Sequence, residues 1–95
     1  MTDALVVTEA GGTITIAGEV VDRIVRRAAE EVDGVKVRRR GLDVRDGRVT
    51  VPLTVRYGAV LAEVGEQVQN RIADSLRSSC GVDPSAVDVS IEELT

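Results

Sequence analysis

The chain has 95 residues, with 12 basic and 16 acidic side chains and a formal charge of −4. That is room for one domain and none for a large catalytic cleft. A hydrophobic share of 43% is ordinary for a packed domain and too high for a disordered tail. The chain has one Tyr and no Phe, Trp or His, so its core has to be aliphatic, and it lacks the commonest general base and metal ligand at neutral pH.

The longest apolar runs are Ala4–Val7 and Ala59–Ala62, against about 20 residues for a membrane-spanning helix. Met1-Thr2-Asp3 lacks the basic start of a secretory signal. Cys80 stands alone, which excludes an internal disulfide and a multi-cysteine metal site. The expectation is a cytoplasmic protein with no direct membrane insertion, any membrane contact being peripheral or through a partner.

In chain order, residues 1–12 are weakly patterned and end in Gly11-Gly12, which reads as a flexible lead-in to a single domain over residues 13–95. Thr13-Ile14-Thr15-Ile16 alternates polar and apolar residues, the pattern of a short strand. From Glu19 the period changes. Val20, Val21, Ile24, Val25, Ala28, Ala29 and Val32 cover about half of a helical circumference, enough to meet two neighbours such as a sheet and a second helix. Gly34 stands where a C-terminal cap is wanted.

A β-rich stretch follows. Val35 and Val37 share one parity and Leu42 and Val44 the other, so the register slips near Arg39-Arg40-Gly41, as a bulge would make it. Asp46-Gly47 is a strong hairpin signal. A two-residue turn there pairs Val44 with Val49 and Leu42 with Val51. Val49, Val51, Leu53, Val55 and Tyr57 then form the inward parity of a strand wet on its other face. Pro52 cannot donate to a ladder, so this strand is expected to have a locally free edge.

A second helix is expected from about Ala59 to Cys80, with Leu61, Val64, Val68, Ile72 and Leu76 on one stripe and Gly81 as its stop. Gly65 inside it costs about 1 kcal/mol against Ala, which marks it as a candidate close-packing position. Val87, Val89 and Ile91 alternate as a last strand. The fold class is α+β: strand, helix, hairpin, helix, strand, with both amphipathic helices packed on one face of a small sheet.

The residues offer no catalytic, metal or cofactor site. A Ser–His–Asp or Cys–His arrangement cannot be built without His, and no Gly-rich phosphate loop occurs. Cys80 falls at a helix C-terminus, the end that does not lower a thiol pKa, and reads as a small buried apolar side chain. One charge feature stands out. Lys36, Arg38, Arg39, Arg40, Arg45 and Arg48 outnumber Asp43 and Asp46, a candidate surface for RNA, anionic lipid headgroups or an acidic protein segment. A solvated hairpin neutralised by the acidic remainder of the chain explains the same residues.

The chain resembles the alkaline shock protein (Asp/Gls) family of bacterial envelope stress response proteins. The resemblance runs from Gly12 to Ile91 and rests on several short stretches in order. They are Gly12-Thr13-Ile14-Thr15-Ile16 with Glu19-Val20-Val21, Glu31-Val32-Asp33-Gly34-Val35, Tyr57-Gly58, Glu63-Val64, Val68-Gln69, Gly81 and Val87-Asp88-Val89. Leu61-Ala62 stands where members often carry a proline, and Gly65 where a small non-glycine residue is usual. The resemblance implies a non-enzymatic protein held at the inner face of the membrane by a small membrane-anchor protein. It also implies association with homologous family members, homo-oligomers included, and a part in envelope homeostasis.

The rival class is a small RNA- or nucleic-acid-binding regulator using residues 36–48. It is the weaker reading, because RNA modules stack bases on aromatic rings and this chain offers only Tyr57, at an inward-facing parity. An accessory subunit lending a surface to a larger enzyme is a third reading.

Overall fold

The computed structural model describes residues 1–95 as an α+β protein of two helices and two sheets. The elements are β1 (Leu5–Glu9), β2 (Gly12–Ile16), α1 (Gly18–Glu30), β3 (Val35–Val37), β4 (Asp43–Arg45), β5 (Arg48–Val55), α2 (Leu61–Cys80) and β6 (Ala86–Leu94). β5 is the spine of the larger sheet. It pairs antiparallel with β3 along its C-terminal half, antiparallel with β4 along its N-terminal half, and parallel with β6 on its other side.

The core follows the two periods of the sequence. Val49, Val51, Leu53 and Val55 point to the same side of β5 and are all but fully buried. Val21, Val25, Ala28 and Ala29 of α1, and Val64, Val68, Ile72, Leu76 and Cys80 of α2, close over them in one cluster. With no aromatic ring inside, Leu53, Ile72 and Leu76 are its largest fully buried side chains. The other side of the sheet carries Arg48, Thr50, Thr54 and Arg56 and is wet except at Pro52.

Turn chemistry places the strands as the residue types require. Asp46 and Gly47 both take positive φ, 53° and 77°, the pair of angles that a two-residue turn between right-twisted strands demands. Val44 meets Val49. β3 and β4 are one strand broken at residues 38–42, the expected slip. Opposite Pro52 the ladder is half made: the Arg38 N–H donates to the Pro52 carbonyl at 2.9 Å, and the Arg38 carbonyl, which Pro52 has no N–H to meet, takes a bond from Arg26 at 3.2 Å instead. That is how a residue without an N–H sits in a central strand, and the expected free edge is not found, because β5 has neighbours on both sides.

Four further expectations need correction. Residues 1–12, expected as a flexible lead-in, contain a strand: β1 pairs antiparallel with β2 from Leu5–Ile16 to Glu9–Gly12. Residues before β1 are tied to the body, with Thr2 Oγ1 donating to Asp22 Oδ1 at 2.6 Å and the Asp3 N–H to the Val44 carbonyl at 2.9 Å. Gly65 is not a point of close approach within the domain, because a Cβ there would lie 3.9 Å from Val89 Cγ1, an ordinary contact. The glycine that does permit close approach is Gly18, where an added Cβ would collide with the Thr2 carbonyl oxygen. α1 ends at Glu30 with Glu31 as its cap, and Gly34, at φ 78°, serves the next turn instead. Tyr57 does not face inward. β5 ends at Val55, and Tyr57 in the turn beyond is 78% exposed.

Candidate functional site

Strand geometry divides the six basic residues of the expected patch into two groups. Arg45 and Arg48 flank the turn at one end of β5. Lys36 is opposite Thr54 near the other end, six residues and about 20 Å along the strand, with Arg38, Arg39 and Arg40 following it into the break between β3 and β4. No single basic surface results.

Carboxylates answer half of these charges. Arg48 makes two bonds to Asp88 on β6, Nε to Oδ2 at 2.6 Å and Nη2 to Oδ1 at 3.3 Å. Arg45 lies 3.7 Å from Asp43 and 4.0 Å from Asp3. Arg38 lies 3.5 Å from Glu92 and 3.7 Å from Glu93. The double partner has a local cause. The β5–β6 register shifts after Leu53, so that Thr54 meets Glu93 while Leu53 meets Ile91, and the extra residue of this bulge brings both glutamates within reach of Arg38. Lys36, Arg39 and Arg40 form no ion pair. An open depression lined by Arg38, Arg39, Arg40, Thr54, Glu92 and Glu93 has no hydrophobic wall and carries both signs of charge.

Asp43 Oδ1 is out of contact with water and receives no hydrogen bond of good geometry. It sits 3.2 Å from the Met1 ammonium and 3.7 Å from Arg45, so charge rather than a directed bond compensates it. Burial pushes the Cys80 thiol up, which fits its place among apolar neighbours. The Arg77 guanidinium is raised by its 2.6 Å bond to Asp83, a link across the α2 C-terminus. No group of three or more Cys, Asp or Glu side chains is placed to hold a metal ion, and no helix is long and apolar enough to cross a membrane.

The sequence reading missed the apolar surface, which gathers at the two ends of a body with extents of 50 × 21 × 18 Å. At one end, Tyr57, Val60, Leu61 and Leu94 are exposed, brought together because β5 and β6 run parallel and α2 starts where β5 stops. At the other end the β1–β2 arm stands off the body. Leu5 and Ile16 at its base pack on the core, whereas Val6 and Ile14 further out are 62% and 55% exposed. A signal for the arm was present. Leu5–Glu9 and Gly12–Ile16 are separated by two residues, Ala10-Gly11, the spacing of a hairpin. It was masked because Leu5-Val6-Val7 does not alternate.

The chain matches no family model, no curated protein and no solved structure.

Proposed function

We propose that this chain is a non-catalytic docking protein of the alkaline shock (Asp/Gls) kind. In this reading it acts through protein–protein contacts at the cytoplasmic face of the membrane, held there by a small membrane-anchor protein and serving envelope homeostasis. The observation that carries the reading is the placement of exposed apolar side chains. Val6 and Ile14 are exposed on opposite faces of the arm, and at the other end Tyr57, Val60, Leu61 and Leu94 are exposed together around the end of β5 and the start of α2. Grouped apolar exposure of this kind marks contact surfaces. The sheet face between the two ends supports the same reading, since Arg38, Arg45 and Arg48 are spent on carboxylates of the chain itself. Of the six basic residues at positions 36–48, Lys36, Arg39 and Arg40 remain without an ion pair, and elsewhere Arg23 and Arg27 of α1 do.

The test is recovery of the full tagged chain from membrane and soluble fractions of the cells that make it. The expected result is a small membrane-spanning protein recovered in fixed ratio from the membrane fraction, and no RNA retained at about 50 mM salt. Turnover of a substrate by the purified chain would refute the reading. So would RNA binding whose affinity falls steeply with salt.

A further inference from the structure

We propose that two copies of this chain associate through β2, pairing antiparallel about a two-fold axis that passes between their Ile14 residues. This names a partner within the docking reading and rests on the arm alone.

The arm is surface that a solitary domain would not be expected to carry. A compact monomer of this mass exposes about 5300 Å², whereas this chain exposes 6088 Å². The excess of about 800 Å² is what one side of a standard interface covers. A two-stranded ribbon is marginal in water, and further strands stabilise it. The body strands have side chains answering some of their outer edges. Glu30 Oε2 accepts the Val37 N–H at 2.9 Å, Arg26 donates to the carbonyls of Val37 and Arg38, and Gln69 donates to that of Val87. On the arm no side chain plays this role.

The sequence of β2 selects the occupant. Thr13-Ile14-Thr15 reads the same in both directions. Antiparallel pairing of two copies therefore sets Ile14 against Ile14 and Thr13 against Thr15 twice, and Thr–Thr pairs across strands are favourable. The hydrogen-bonding pattern agrees. The arm closes on Glu9–Gly12 through a two-residue loop, so the bonded pairs with β1 fall at Gly12, Ile14 and Ile16. The main-chain groups of Thr13 and Thr15 then face outward, in position to make four bonds to a second β2. Gly12 falls opposite Ile16 of the second copy, leaving room where that strand enters its own body. The competing acceptor, β6 of a neighbour, ends in Glu92-Glu93, and Glu9 is the single charged side chain between Leu5 and Ile16. Like charges disfavour that arrangement.

The experiment uses the full chain. Native mass from light scattering is expected at twice the 10.1 kDa of the chain at high micromolar concentration. Thr15→Pro removes an outward N–H and should return the protein to a monomer with the melting curve of its body unchanged. Thr8→Pro removes the corresponding group on β1 and should leave the dimer intact. In a Cys80→Ala background, Ile14→Cys places two thiols on the axis at a Cα separation of about 4.5 Å, within disulfide range. It should oxidise to a covalent dimer, while Val6→Cys, equally exposed, should not. A monomer at high concentration, an open-ended polymer, or loss of the dimer in Thr8→Pro but not Thr15→Pro would overturn the inference. A monomer that still recovers a membrane protein refutes the pairing alone, and a dimer that recovers none refutes the docking function alone.

Discussion

Replacing Gly65 by Ala tests the packing of α2 against β6 at a position where sequence and structure give opposite answers. Gly65 is the fifth residue of a 20-residue helix, and glycine there costs about 1 kcal/mol relative to Ala. The added methyl would stand 3.9 Å from Val89 Cγ1, in contact and without overlap, so it adds a few tenths of a kcal/mol of apolar burial. The sum is a stabilisation of about 1–1.5 kcal/mol, which for a domain of this size raises Tm by about 4–10 °C. Thermal unfolding followed by far-UV circular dichroism measures it, and an unchanged urea m-value shows that the unfolding reaction is the same. Gly18→Ala is the contrast. As the first residue of α1 it gains less helix propensity than an interior position does, and its Cβ collides with the Thr2 carbonyl oxygen. It must displace the Thr2–Asp22 and Asp3–Val44 bonds, at a cost of about 1–3 kcal/mol. A fall in Tm for Gly65→Ala would show that another backbone does lie against that glycine, and the packing described for α2 would be wrong.

Leu53→Ala should cost about 3–4 kcal/mol and lower Tm by more than 12 °C. Its neighbours are largely short β-branched valines with restricted χ1, which cannot swing in to fill the void; a drop of under 5 °C would contradict this. Native Cys80 should resist alkylation at neutral pH and react fully in denaturant, because burial raises its pKa and screens it from reagent. Rapid labelling of the folded chain would place the thiol at the surface. Arg48→Ala breaks an exposed pair with Asp88 and should change stability by less than about 1 kcal/mol; a larger loss in urea unfolding would show that the pair is structural.

Periodicity made the two helices, the β4–β5 hairpin and the last strand legible, because each buries one face of a regular element. Gly47 and Gly81 were legible for a different reason, since positive φ is nearly a property of glycine, and Asp46 because Asp-Gly is a favoured pair for a two-residue hairpin turn. Pairing between distant segments was not legible. That β6 lies parallel to β5, and that its bulge hands both Glu92 and Glu93 to Arg38, depends on contacts about 40 residues apart in sequence. Tyr57 was misread because alternation was carried past the end of β5. The basic residues were all visible as charges. Their division into three answered and three free depended on tertiary partners, namely Asp88, Glu92 and Glu93 on β6 and Asp3 before β1. The arm was lost to three consecutive apolar residues where a wet ribbon should alternate: Leu5 packs on the core at the base of the arm and Val7 is half-buried, which leaves Val6 exposed.

Amide hydrogen exchange at Thr13 and Thr15, followed as a function of protein concentration, tests most directly the claim that the arm is a docking surface for a second copy of this chain. Both N–H groups point away from β1 and exchange freely in an isolated chain. Protection that appears at high concentration and vanishes on dilution is the predicted result. Rapid exchange at every concentration, with β5 and the helices fully protected, would contradict it.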